Sequence, residues 1–153
     1  KSIIFARALA DTDRNGQLDL NDNKDIFRLD LDSMTLTNLT NSPDNNDFDV
    51  SWSMDGQWIV FCSVREDADG NRFKNLDDSR DLFLMRPDGS QESRIELGNL
   101  RTFDPNWSPD GRQILFGVDL GENIEELWLY TLDGGGYTSI TPRGPYFHPE
   151  WYP

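Results

Sequence analysis

Residues 11–22 read Asp-Thr-Asp-Arg-Asn-Gly-Gln-Leu-Asp-Leu-Asn-Asp. With Asp11 as position 1, oxygen-bearing side chains fall at positions 1, 3, 5, 9 and 12, which are Asp11, Asp13, Asn15, Asp19 and Asp22. Position 6 is Gly16, and position 7 is Gln17, whose backbone carbonyl would face an ion. Calcium takes about six to eight hard oxygens around one point; alternate residues of a tight loop supply them, and glycine permits the sharp turn. Aspartate stands at position 12 in place of the usual glutamate. This spacing predicts a calcium site.

Residues 67–78 repeat the arrangement, with Asp67, Asp69, Asn71, Asn75 and Asp78 at positions 1, 3, 5, 9 and 12 and Phe73 offering the carbonyl at 7. Asp11 lies 14 residues before Asp25, and Asp67 lies 14 before Asp81, so the segment after each loop starts in register. The glycine has moved to position 4 (Gly70) and Arg72 stands at 6, which predicts a weaker second site. Five converging oxygens without a cation would repel one another, which argues for two calcium ions over two solvated loops. The corresponding stretch DLGENIEELW, from Asp119, has no ligand spacing and is expected to hold no metal.

Other candidate chemistry is thin. His148 is the only histidine and sits in the Pro-rich turn PYFHPEW, where a structural role is expected. Cys62 lies in an apolar run and reads as a small buried hydrophobe. Gly134, Gly135 and Gly136 have no helix after them to cradle a phosphate. Asp25 and Asp81 could add a calcium oxygen but fit a strand-start turn better. No set of residues assembles a catalytic site, so the chain is expected not to be an enzyme.

The loops are carried by repeats. FDVSWSMDGQWIVFCSV, from Phe48, matches FDPNWSPDGRQILFGVD, from Phe103, with Trp52 and Trp107 each nine residues before Phe61 and Phe116. Each Asp-Gly pair predicts a tight hairpin turn between alternating strands. Third strands follow at DIFRLDLD, DLFLMRPDG and ELWLYTLDGG, and last strands at LTNLT, SRIEL and YTSIT. Tryptophans 52, 107 and 151 are 55 and 44 residues apart. Four strands per unit at about 40 to 50 residues is the blade of a β-propeller. The fold class is therefore all-β, a propeller of four-stranded antiparallel blades: blade 1 about 1–47, blade 2 about 48–102, blade 3 about 103–147, and the first strand of a next blade at 148–153. KSIIFARA matches only a second strand and HPEWYP only a first, so the ends read as complementary halves of one hairpin.

The WSPDGRQILF…ELWLYTLDGGGYTSIT pattern resembles the TolB-type, WD-repeat-like β-propeller blade, and the two acidic loops resemble those of EF-hands and dockerins set into β-hairpins. The blade resemblance implies a propeller of six to eight blades that serves as a binding platform. Proteins of this kind include periplasmic TolB, the propeller domains of prolyl-oligopeptidase-like peptidases and many secreted bacterial proteins.

Composition narrows the function. A net charge of −14 excludes a surface built to hold phosphate backbones, so no nucleic-acid partner is expected. No apolar run approaches the roughly 18 residues of a membrane helix. The leading expectation is a non-enzymatic calcium-binding propeller module for protein interaction or extracellular assembly, extracellular or periplasmic in location. Its partners would be other copies joined head to tail through the terminal strands, as ring or filament, or the rest of a longer propeller. The alternatives are the propeller part of a larger secreted hydrolase and a periplasmic TolB-like partner-binding domain.

Overall fold

The computed structural model describes residues 1–68, 70, 74, 78–98, 100–146 and 148–152. Its described residues form eleven strands and no helix, arranged as three antiparallel sheets. The first sheet holds β1 (Ser2–Ala8), β2 (Lys24–Asp30) and β3 (Leu36–Asn38). The second holds β4 (Asn46–Trp52), β5 (Ile59–Val64), β6 (Asp81–Met85) and β7 (Ser93–Arg94). The third holds β8 (Arg101–Trp107), β9 (Gln113–Asp119), β10 (Glu125–Thr131) and β11 (Gly136–Ser139). Strands follow chain order across each sheet, as in a propeller blade. The last strands are shorter than the apolar pattern predicts: SRIEL contributes only β7, with Ile95 still bonded through its N–H to the Leu82 carbonyl. His148–Tyr152 lies against β8 through the Trp151 indole, which donates to the Asn106 carbonyl at 3.3 Å, and carries no strand pairing.

The Ser-x-Asp-Gly hairpins are built identically. The Ser53 hydroxyl donates to Asp55 at 2.7 Å and accepts the Trp58 N–H at 2.9 Å; Ser108 does the same with Asp110 and Gln113. Gly56 and Gly111 both take φ of 69°, which a side chain would resist.

Alternation along the middle strands divides the core in two. Ile59 and Phe61 of β5 join Ile26, Leu39, Phe83 and Met85 between the first and second sheets. Val60, Cys62 and Val64 join Trp107, Ile114, Phe116 and Val118 between the second and third. The stack is pinned by polar contacts as well. Arg80 and Arg101 grip Asp119 at 3.1 and 3.3 Å, and Ser42 and Ser63 donate to the fully buried Asp47.

Gly117 pairs with Phe103, whose ring covers it so closely that an added Cβ would collide with the ring, whereas Cys62 fills the matching place opposite Phe48. Gly117→Ala should destabilise the fold by roughly 1–3 kcal/mol in urea denaturation. Burial pushes the Asp47 carboxyl up, opposed by the Ser63, Ser42 and Thr40 hydroxyls and by Arg65. The folded chain therefore keeps this proton at a pH where the unfolded chain has lost it. Its contribution is most favourable below the unfolded pKa of about 3.9 and declines as pH rises towards the raised folded value. Asp47→Asn should remove that downward slope in a series of denaturation curves from acid to neutral pH.

Candidate metal centre

The first acidic loop connects β1 to β2, the outward-going turn between the second and third strands of a blade. Its carboxylates are turned onto the loop's own amides. Asp11 accepts the N–H groups of Asn15 at 3.1 Å and Gly16 at 2.9 Å. Asp13 accepts the Asn15 backbone N–H at 3.0 Å and its side-chain amide at 2.9 Å. The same Asn15 amide reaches Asp19 at 3.2 Å, and Asn15 Oδ1 accepts the Gln17 N–H at 2.8 Å. Gly16 has φ of 85°, the left-handed turn that position 6 was expected to need.

Asp22 closes the loop from inside. It is fully buried, with Oδ1 accepting the Thr12 N–H and hydroxyl and Oδ2 accepting the Asp19 N–H at 2.9 Å. The Asp19 amide, followed by those of Thr12 and Asp13, holds this carboxyl below the ordinary range against the opposing effect of burial. Oxygens of Asp11, Asp13 and Asp22 all lie within 4.8 Å of one another. Two ligands of one calcium ion, each about 2.4 Å from it, can be no farther apart than about that distance. The loop thus brings positions 1, 3 and 12 together, with Asn15 tying in positions 5 and 9. Gln17 adjoins through its N–H.

Of the second set, Asp69, Asn71, Phe73 and Asn75 lie outside the described residues. Asp67 and Asp78 are described, and Asp78 repeats the part of Asp22: it is fully buried and accepts the N–H of Ala68, again position 2, at 2.7 Å. The displaced glycine has a local reason. Position 4 is left-handed in both loops, φ 60° at Arg14 and 75° at Gly70. In the third sheet the matching connection is a tight turn in which the Ile124 N–H bonds the Gly121 carbonyl.

Asn46, the first residue of β4, joins the two loops and was not singled out from sequence. It is 2 % exposed; its Oδ1 accepts the Lys24 N–H at 3.3 Å just after the first loop, and its Nδ2 donates to the Lys74 carbonyl in the second at 3.2 Å. Only its place at the head of an inner strand, opposite the loops, could have marked it. Beside the first loop opens a cleft of about 570 Å³ lined by Asp11, Asp13, Arg14, Asn23, Asp44 and Lys74, among others.

Asp25 accepts from Asn38 and the Ser42 N–H, and Asp81 pairs with Arg94 at 3.0 Å, so both engage the following strands of their own sheets. Cys62 is buried, and burial pushes its thiol well up. The exposed His148 ring lies 3.0 Å from Asp104.

No protein-family model matches the chain. It is 28% identical over 102 residues to the uncharacterized protein Atu1656 of Agrobacterium fabrum, covering 67% of this chain and 30% of that protein. It is 34% identical over 74 residues to the uncharacterized peptidase YuxL of Bacillus subtilis, covering 48% of this chain and 10% of that protein. Among solved structures it is similar to a TolB-type protein of Agrobacterium tumefaciens, with TM-score 0.68, 23% identity, and 91% of this chain against 44% of the other. TolB from Acinetobacter baumannii gives TM-score 0.64 at 18% identity, with 93% of this chain and 30% of the other covered. The fold is thus a TolB-like β-propeller fold. The chain spans under a third of the length of the curated relatives it matches.

Asn46→Ala would strip a part-buried N–H and a part-buried carbonyl of their partners together. Chemical denaturation should show a loss of about 1–2 kcal/mol, with faster amide exchange at Lys24.

Proposed function

We propose that this chain is the calcium-binding portion of an extracellular or periplasmic β-propeller that works in protein interaction without catalysis of its own. The observation that carries the reading is the convergence of Asp11, Asp13 and Asp22 within a loop of calcium-ligand spacing. Asn15, Asp19 and the Gln17 carbonyl complete the first site; Asp67, Asp69, Asn71, Asn75, Asp78 and the Phe73 carbonyl supply a second site. Extracellular calcium modules bind at about 10⁻⁴ to 10⁻³ M, which suits a calcium-rich compartment. Two ions take the formal charge from −14 to −10 (−14 + 2 + 2).

The described sheets number three, and in this reading further blades complete the ring. They come from the rest of a longer propeller or from other copies joined head to tail. A second reading, the propeller part of a peptidase, is favoured by the likeness to YuxL. It requires a catalytic serine on a Gly-x-Ser-x-Gly turn, followed by an acid and a histidine, all outside this chain, and reactivity of the full-length protein with a serine-hydrolase probe distinguishes it.

Calorimetric titration should show calcium binding below a few millimolar and a rise in melting temperature with calcium. Asp13→Asn should weaken the tighter site at least about tenfold, because it removes a ligand charge. A melting temperature indifferent to several millimolar calcium contradicts the reading.

A further inference from the structure

The loop of residues 11–22 carries the chain's one Asn-Gly pair, Asn15-Gly16. In such a pair the glycine's backbone nitrogen can attack the asparagine's side-chain carbonyl carbon, because glycine has no side chain of its own in the way. Both residues are exposed, and a Cβ placed on Gly16 would meet nothing within 4 Å, so water reaches the pair freely. Each reacting atom already has a partner suited to its change. The Gly16 N–H donates to Asp11 Oδ2 at 2.9 Å, which puts a carboxylate where the attacking nitrogen must lose its proton. Asn15 Oδ1 accepts the Gln17 N–H at 2.8 Å, a donor in place on the oxygen that turns negative when its carbon is attacked. That bond closes a ring containing both Asn15 Cγ and the Gly16 nitrogen, so the side chain is folded forward onto the peptide that would attack it. Asn15 Nδ2, the leaving nitrogen, is oriented by Asp13 Oδ2 at 2.9 Å and Asp19 Oδ2 at 3.2 Å.

We propose that Asn15 is a self-modification site: in the calcium-free loop the Gly16 nitrogen attacks Asn15 Cγ and expels ammonia, and Asp11 promotes the step. The bond from the Gly16 nitrogen to Cγ forms as the bond from Cγ to Nδ2 breaks. The Gly16 proton, taken up by Asp11 and passed on through water, leaves with the amide nitrogen as ammonia. Water then opens the cyclic imide, at Cγ to give aspartate or at the Asn15 backbone carbonyl to give isoaspartate, and nothing is oxidised or reduced. Either product puts a carboxylate where the Asn15 amide now bridges Asp13 and Asp19. Like charges then face one another across the loop. The isoaspartyl form also adds a methylene to the main chain between positions 5 and 6, which breaks the alternate spacing of the oxygens. Calcium opposes the reaction by taking Asn15 Oδ1 and Asp11 as ligands, a consequence that rests on the calcium reading proposed above. The loop thereby records time spent without the ion.

The full chain is incubated without calcium beside a peptide of the sequence of 11–22, and deamidation is followed by peptide mapping in a mass spectrometer together with ammonia release. Asn15 should react at least about tenfold faster in the folded chain than in the peptide, as a positioned base and a fixed donor require. Asp11→Asn should bring the folded chain down to about the rate of the peptide, while the same change within the peptide should leave its rate unmoved. Equal rates in chain and peptide, or a slower rate in the chain, overturn the proposal. An Asp11→Asn chain whose β5 amides stay protected and which reacts as fast as the native chain overturns the part given to Asp11. Several millimolar calcium should slow the native chain at least about tenfold, as occupancy of a site of this class requires. Calcium that binds by calorimetry yet leaves the rate unchanged overturns the protection. Absence of calcium binding contradicts the earlier reading instead, and the calcium-free comparison of chain, peptide and variant still decides whether the loop modifies itself.

Discussion

Every residue of β5 is buried, and its side chains alternate between two neighbours: Ile59 and Phe61 towards the first sheet, Val60, Cys62 and Val64 towards the third. A strand buried on both faces cannot be satisfied by its own sheet. Burying one such side chain is worth about 1.5–3 kcal/mol, but only if a second apolar surface covers it. The stacking of blades is thus a condition of each blade's stability. It also fixes which ends of the strands share a rim. It brings Lys24, just after the first acidic loop, and Lys74 to either side of Asn46.

The same constraint governs charge. A chain with twice as many acidic as basic residues, 28 against 14, must hold many carboxylates close together without exposing them to mutual repulsion. Most of the solutions here are local. Asp55 and Asp110 are held by the serines two residues before them, Asp22 and Asp78 by amides of their own loops, and Asp49 and Asp104 by the amide of the next blade. Arginine serves where a carboxylate spans two sheets, as Asp119 does between Arg80 and Arg101. Among the described residues, the first acidic loop is the place where three carboxylates gather at one point.

The blade pattern was legible because each of its signals is local. Trp, Ser-x-Asp-Gly and an alternating run specify two strands and their turn within about fifteen residues, and the Ser53 and Ser108 bonds show why the serine is part of that signal. The oxygens at alternate positions of 11–22 were legible for the same reason, and the structure brings Asp11, Asp13 and Asp22 together. What escaped notice depends on contacts between blades. Asn46 looks like any polar residue before a strand until Lys24 and the Lys74 carbonyl are placed around it. The left-handed turns at Asp49 and Asp104 carry no glycine to announce them. The shortness of β7 follows from pairing limited to Phe83 with Arg94 and Leu84 with Ser93, which alternation cannot foresee.

In the proposed reading, a rigid stack centred on β5 holds a calcium-binding loop at its rim. Hydrogen–deuterium exchange resolved along the chain tests both halves in one experiment. The β5 amides, Ile59–Val64, should exchange slowest whether or not calcium is present. Those of β1 and β11 should exchange fastest among the strands, and the amides of Asn15, Gly16 and Gln17 should slow when calcium is added. Exchange of β5 as fast as that of β1, or loop amides unchanged by millimolar calcium, would contradict it.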